Sequence, residues 1–387
     1  MNLQLIELTE PAIEWRNALG FDDRETGRGP RRLPDWTRPQ IPDLFVEAMV
    51  RMTSGVRLAF STNATRVELD VGLLSFRAVD DPPRTLGFDV VVDGEVLIRE
   101  STDGGSRFVL DAVTREVLGF EEGAPITLGF DLDGASHNVE IWLPTAASCD
   151  IQALRISPGA AVERAAPTGR RHWVHHGSSI SHCMEVVHPT ETWPAVAARA
   201  GAVDLTNLAL AGQCHLDQYV ARTMRDLTPD LLSLKVGINV INMDSMKERI
   251  FKPAFHGFVD TIRERNPDTP FVIVSPIFCP SAEDHPGPTV PGRDGRFRVI
   301  DGPAALRDGS LTLRRVREIL SEAVAQRRAA GDAHLHYLDG LTLFAEADHL
   351  AGDLPDDLHP SPAGYRRMGE RFAAALFGAG APFATSA

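Results

Sequence analysis

Lysine is nearly missing from this chain. It occurs only at 235, 247 and 252 among 39 basic residues, and arginine supplies the rest. Positive charge is short overall, with 53 acidic residues against 39 basic ones and a formal net charge of −14. That balance repels phosphate backbones and anionic headgroups, which argues against nucleic acid or a membrane surface as partner. No apolar run approaches the roughly 18 residues of a membrane-crossing helix. Cysteine is scarce as well: Cys149, Cys183, Cys214 and Cys279 are scattered and show no Cys-x-x-Cys spacing. Four such residues in 387 exclude a disulfide scaffold and read as free thiols in a reducing compartment. The opening stretch MNLQLIELTEPAIEWR has neither the basic nor the apolar region of a secretory signal, so a cytoplasmic protein is expected.

What is present falls into two grammars. From about residue 45 to 158 the chain reads as short strands. TRVELDV alternates Val67, Leu69 and Val71 with Arg66, Glu68 and Asp70, the period of a half-buried strand. FDVVVDGEVLIRE carries Asp93-Gly94 between apolar runs, a hairpin signal, and PITLGFDLDGASHNVEIWLP repeats the device at Asp133-Gly134. An antiparallel β-sandwich, jelly-roll-like, is expected over residues 1–165, with an irregular N-terminal segment. GAAVERAAPTGR, residues 159–170, reads as a linker. Beyond it the runs HWVHHG, VDLTNLAL, DLLSLKVG, FVIVSPIF and HLHYLDG alternate with helical stretches. This alternation predicts an α/β domain over 166–387, a parallel sheet flanked by helices. The Pro- and Gly-rich stretch 280–302 reads as a mobile loop over the site.

Ligands of an open α/β sheet bind at the carboxyl ends of its strands. HHGSSISH, residues 175–182, places Ser178 and Ser179 at such an end, and Thr192 with Pro194 opens a following helix. Serine chemistry also needs a base, a group that orients the base, and donors for an oxyanion. LPDDLHPSPAGY provides His359 with Asp356 three residues earlier and Asp357 as a rival. Gly212 in NLALAGQC and Asn239 in KVGIN each follow an apolar run; a glycine N–H and an asparagine amide suit an oxyanion.

The succession Gly-x-Ser-Ile, Gly, Gly-x-Asn and Asp-x-x-His-Pro resembles the SGNH (GDSL-type) hydrolase superfamily over residues 170–378. The resemblance implies Ser179 as nucleophile, His359 as base and Asp356 as its orienting acid. It implies an oxyanion hole of the Ser179 and Gly212 N–H groups and the Asn239 side chain. There are two departures: Ser178 stands where the family often has aspartate, and Val240 replaces an aspartate that often follows the asparagine.

His172, His175, His176, His182, Cys183, His188, Cys214 and His215 carry zinc-type ligand atoms, but no pair repeats a metal-ligand spacing, and no metal is expected. Cys183 lacks a separate orienting pair and is not read as the nucleophile.

A sandwich ahead of an SGNH domain is similar to the layout of carbohydrate esterases and of polyketide-tailoring acyltransferases in the family. The expectation is acyl transfer from an activated donor, an acyl-CoA thioester as co-substrate, to a hydroxyl of a natural product, with no bound cofactor. Arg293, Arg296 and Arg298 are candidates to meet the donor, against the alternative of a solvated loop. The alternatives are an intracellular carboxylesterase or carbohydrate deacetylase with the same triad, and a non-catalytic binding protein. The last would need aromatic residues lining a sandwich face, and only Trp142 is read within a strand there. The expected partners are a small acyl donor and a hydroxyl acceptor, and a homo-oligomer is compatible with the sequence.

Overall fold

Val67, Leu69, Val71 and Leu73 point inward along the strand Arg66–Ala78 while the residues between them stay partly exposed, the alternation read from the sequence. In the computed structural model, which describes residues 2–384, that strand is central to the first of two units. This unit runs to Gly169 and also takes in Val186–Thr190; the second comprises Arg170–Glu185 and the chain from Glu191 onward.

The first unit is a β-sandwich of an eight-stranded and a six-stranded sheet. Its pairings are antiparallel except that Arg66–Ala78 runs parallel to Ser106–Leu110. Leu69, Val71, Leu154 and Ile156 of one sheet and Leu58, Phe60, Val90 and Ile141 of the other are fully buried. Asp93 and Gly94 form the two-residue turn between Leu86–Val92 and Glu95–Thr102, with φ of 51° and 93°. Asp133-Gly134 does not repeat that device. Ile126–Asp131 pairs within the larger sheet and His137–Trp142 within the smaller, so these residues carry the chain between sheets. Only Gly134 has positive φ, and the longer loop closes through the Asp133 carboxylate, which accepts from Ala135 N–H at 2.8 Å. Part of the expected linker is also a strand, Val162–Glu163, paired with Arg57–Thr62. The segment Val186–Thr190 is held within this unit by Asp89, fully buried, whose carboxylate accepts from Thr190 N–H (2.9 Å) and Oγ1 (2.5 Å) and meets His188 Nδ1 at 2.9 Å.

The second unit has a five-stranded parallel sheet in the order Asp204–Asn207, His172–Gly177, Leu231–Lys235, Phe271–Val274, Leu335–Leu338. Phe271–Val274 is apolar throughout and Leu231–Lys235 is apolar but for Ser233 and Lys235; both are buried along their whole length, as a sheet covered on both faces requires. The helix Trp193–Ala200 packs on Pro362–Leu376, and Gln218–Asp226 packs on Glu248–Arg263. Thr192 caps the first of these helices and Ser361 caps the second, each followed closely by proline. Among the described residues, no helix is long and apolar enough to cross a membrane.

The stretch 280–302 is not structureless. It contains a hairpin of Thr289–Pro291 with Phe297–Val299, registered by Thr289 opposite Val299.

The strand order by sequence is 2-1-3-4-5. The direction of winding reverses between the first and third strands, and the carboxyl edge at such a switch point is where sheets of this kind bind ligands. Gly177-Ser178-Ser179 leaves the first strand at that edge, and Gly237-Ile238-Asn239 leaves the third.

Candidate active site

Gly177 has no room for a side chain. A Cβ there would stand 2.5 Å from Ser181 Oγ and 3.2 Å from His175 Nε2, so glycine lets the strand turn directly into the short helix Ser179–His182. Ser178, fully buried, caps that helix through its hydroxyl, which accepts from Ile180 N–H at 3.3 Å. Ser179 is the partly exposed member of the pair. The position that the family often fills with aspartate thus holds a capping residue, and the hydroxyl open to the site is that of Ser179.

His359 Nε2 lies 2.9 Å from Ser179 Oγ, and His359 Nδ1 lies 2.7 Å from Asp356 Oδ2. The three-residue offset has a local cause. Asp356 Oδ1 accepts from the N–H groups of Leu358 (2.9 Å) and His359 (2.6 Å), so one carboxylate closes the turn and holds the ring of the residue ending it. Burial opposes ionisation of Asp356, but the hydrogen bond and charge of His359 with two backbone N–H groups prevail and hold its carboxyl below the usual range. An ionised Asp356 accepts Nδ1–H, which leaves the Nε2 lone pair facing the Ser179 hydroxyl. Asp357 has φ of 63° and faces elsewhere, 3.5 Å from Arg296 and 4.0 Å from His349.

The oxyanion candidates are tied to the same edge. Leu208 N–H donates to His175 O (2.8 Å) and Leu210 N–H to Gly177 O (2.9 Å), lacing the segment that carries Gly212 to the serine strand. Gly212 has φ of 72°, and its carbonyl meets His215 Nε2 at 3.2 Å. Cys214 N–H donates to Asn239 Oδ1 at 3.0 Å. That bond fixes the orientation of the Asn239 amide and leaves Nδ2–H as its free donor. Gly237, at φ 132°, lets the third strand turn into the helix that carries Asn239.

Three side chains invisible to motif reading also meet this site. The Phe297 ring of the hairpin meets the His359 ring in a T-shaped contact, centroids 5.6 Å apart, while Phe297 N–H donates to Asp356 O at 2.9 Å. Glu185 Oε1 is 3.9 Å from His359 Nδ1, and Tyr365 Oη donates to Glu185 Oε2 at 2.8 Å. No spacing in the sequence links these residues to His359; the contacts arise when separate segments meet at one edge.

The remaining histidines are packed or hydrogen-bonded individually. His175 Nδ1 meets Ser233 Oγ at 2.7 Å, His176 Nδ1 donates to Leu208 O at 2.9 Å, and His172 Nε2 meets Thr206 Oγ1 at 2.8 Å. Among the described residues, no group of three or more His, Cys, Asp or Glu side chains could hold a metal ion. Cys183 is fully buried, its thiol bonded to Ile180 O at 3.2 Å, and burial pushes its pKa far up, so it stays protonated. Of the loop arginines, Arg296 pairs with Asp357 and Arg298 with Asp294 (2.5 Å). Trp142 is 6% exposed beneath the Arg57 guanidinium and offers no open stacking platform.

Residues 176–367 match the model of the GDSL-like lipase/acylhydrolase family. No curated protein matches the chain significantly. Among solved structures, the salicylyl-acyltransferase SsfX3 from a tetracycline biosynthetic pathway is 28% identical, with 95% of each chain covered and a TM-score of 0.79. A protein of Bacteroides ovatus described as a GDSL-like lipase is 15% identical over 97% of each chain, with a TM-score of 0.66. A family two carbohydrate esterase from Clostridium thermocellum is 15% identical over 94% of this chain and 97% of its own, with a TM-score of 0.60. At that identity the last two likenesses concern the fold.

Proposed function

The chain belongs to the SGNH (GDSL-type) superfamily of hydrolases and acyltransferases, and on that premise we propose that it is a serine-dependent O-acyltransferase. The observation that carries the reading is the continuous chain from Ser179 Oγ through His359 to Asp356, at 2.9 and 2.7 Å. The donor in this reading is an activated acyl ester or thioester, an acyl-CoA among them, and the acceptor is a hydroxyl of a small molecule. The likeness to an acyltransferase over 95% of both chains supports transfer.

In this reading each residue has a step. His359 takes the Ser179 proton as Oγ attacks the acyl carbonyl. The oxyanion formed is met by the Ser179 and Gly212 N–H groups and by Asn239 Nδ2–H, fixed donors that need no rearrangement as charge develops. The intermediate collapses, His359 returns the proton to the leaving thiolate or alkoxide, and the acyl group stays on Ser179. His359 then removes the acceptor hydroxyl proton as that oxygen attacks the acyl-enzyme, and a second collapse frees the new ester and Ser179. Asp356 keeps Nδ1 protonated throughout and offsets the imidazolium charge. This chemistry needs no resident cofactor. Phe297 against the imidazole removes part of the space that water would use, which favours an organic acceptor over hydrolysis.

Intact-mass spectrometry with peptide mapping tests the proposal, using an acyl-CoA or activated aryl ester with and without a polyhydroxylated acceptor. The expected result is an adduct on Ser179 that discharges faster with acceptor and yields acylated product. Discharge into water at the same rate with every acceptor of a broad panel would replace transfer by hydrolysis. Turnover by a folded Ser179→Ala variant would overturn the serine assignment.

A further inference from the structure

A second carboxylate faces the imidazole nitrogen that Asp356 already holds. Glu185 Oε1 is 3.9 Å from His359 Nδ1, against 2.7 Å for Asp356 Oδ2. The longer distance is no hydrogen bond, but it is ion-pair range for a ring that becomes cationic during each half-reaction. Glu185 is itself held in place. Tyr365 is fully buried on the helix Pro362–Leu376 and donates its hydroxyl to Glu185 Oε2 at 2.8 Å. Burial and the neighbouring Glu185 charge keep that phenol protonated, so it acts as donor and the carboxylate as acceptor. One oxygen of Glu185 is thereby tied back and the other turned to the imidazole.

We propose that Glu185, clamped by Tyr365, is a positioning residue for His359: a second anion that stabilises the imidazolium and keeps Nε2 directed at Ser179. The inference rests on the serine reading and adds an arm to it, from the last helix through Glu185 to the base. The arm also supplies a partial substitute for Asp356, because a ring that loses its hydrogen-bonded carboxylate still has one within a small rotation.

The surroundings of His359 are consistent with this division of labour. Asp356 faces it from its own loop, Ser179 from the short helix Ser179–His182, Glu185 from the segment after that helix, and Phe297 from the hairpin. Behind Glu185 stand Tyr365 and the protonated Cys183 thiol. Arg296 pairs with Asp357, and Lys235 lies beside Cys214 and Cys183. Glu185 Oε1 thus faces the imidazole within ion-pair range while its other oxygen is held by Tyr365.

The test is the pH profile of kcat/KM for wild type, Glu185→Gln, Asp356→Asn, the double variant and Tyr365→Phe, with melting curves for each. The free imidazole is the active base, so activity falls as pH drops through the His359 pKa. Removing an anion makes the imidazole less basic, so Glu185→Gln is expected to move the acidic limb down by about one pH unit. It should lower kcat several-fold with KM unchanged, and cost at least about tenfold more in the Asp356→Asn background than alone, as coupled groups do. Tyr365→Phe keeps the carboxylate but frees it, and should move the limb the same way by less. An acidic limb at the wild-type pH in Glu185→Gln, with no extra loss in the double variant, overturns the proposal. If Glu185→Gln does not fold, an unmoved limb in Tyr365→Phe overturns it instead. An active Ser179→Ala variant would end the serine reading; an inert one beside an indifferent Glu185→Gln would end only this inference.

Discussion

Cys214 N–H donates to Asn239 Oδ1 over 3.0 Å, and this one backbone bond decides which end of the asparagine amide is offered to the site. Asn239→Ala removes the free Nδ2–H donor and is expected to lower kcat about 10²–10³-fold, with a much smaller change in KM. Asn239→Asp fills the same space but puts an anion against the developing oxyanion, and should be at least as inactive. Steady-state kinetics on both variants check this; wild-type kcat in Asn239→Ala would remove the residue from the oxyanion hole.

The two neighbouring aspartates should separate cleanly. Asp356→Asn deprives His359 of the partner that holds its tautomer, and kcat is expected to fall by up to about 10⁴-fold, the full loss appearing when Glu185 is removed as well. Asp357→Asn, whose side chain faces Arg296 and His349, should stay within a few-fold of wild type. Ser179→Ala and His359→Ala should abolish turnover with melting temperatures little changed. Side-by-side kinetics and thermal melts are sufficient, and the reverse ranking of the aspartates would exchange their roles.

Lys235 predicts a pH-dependent stability difference. It is 2% exposed at the end of its strand, and burial lowers its pKa from an ordinary 10.5 to about 8. Between those two values the unfolded chain binds a proton that the folded protein does not, so stability gains from this residue as pH rises through that window. Below the folded value the charged form stays in the interior at its full cost. Lys235→Met is therefore expected to be more stable than wild type at pH 7 by up to about 3 kcal/mol. The advantage should narrow steadily above pH 8 and vanish near pH 10.5. Urea titrations across that range check it, and a methionine variant less stable at pH 7 would contradict it.

Phe297→Ala opens the space beside His359 without touching the triad. The partition of the acyl-enzyme between acceptor and water is expected to shift towards water, while the rate of Ser179 acylation changes little. Product ratios from a single-turnover experiment measure that shift directly. An unchanged ratio would deny the hairpin a part in excluding water.

Much of this architecture is legible in the sequence because periodicity is a local property. The alternation at Val67, Leu69 and Val71 and the apolar run Phe271–Val274 each announce their own strand and its burial. Gly177, Ser179, Gly237 and Asn239 are readable for a related reason: they follow strands, and strand ends define the edge where ligands bind. Asp133-Gly134 misleads because a turn dipeptide does not tell a hairpin from a crossing between sheets; pairing partners decide, and those are distant. The hairpin inside 280–302 is hidden by its Pro and Gly content, since three-residue strands carry no measurable period. Glu185, Tyr365 and Phe297 are hidden for a further reason. Their meeting with His359 depends on three separate segments converging, which no window along the chain can display.

Asp89 has a consequence for how such a gene can be cut or recombined. The carboxylate is fully buried in the first unit, yet its donors come from His188 and Thr190, which the chain reaches only after leaving that unit and passing through Ser179. A fragment ending at Gly169 would leave an interior anion stripped of every one of those partners. A single crossover placed in the apparent linker would likewise trade one half of the staple for a stranger's. An exchange of the sandwich that keeps Asp89 partnered therefore has to carry residues 186–190 with it, which takes two crossovers beyond Gly169 rather than one.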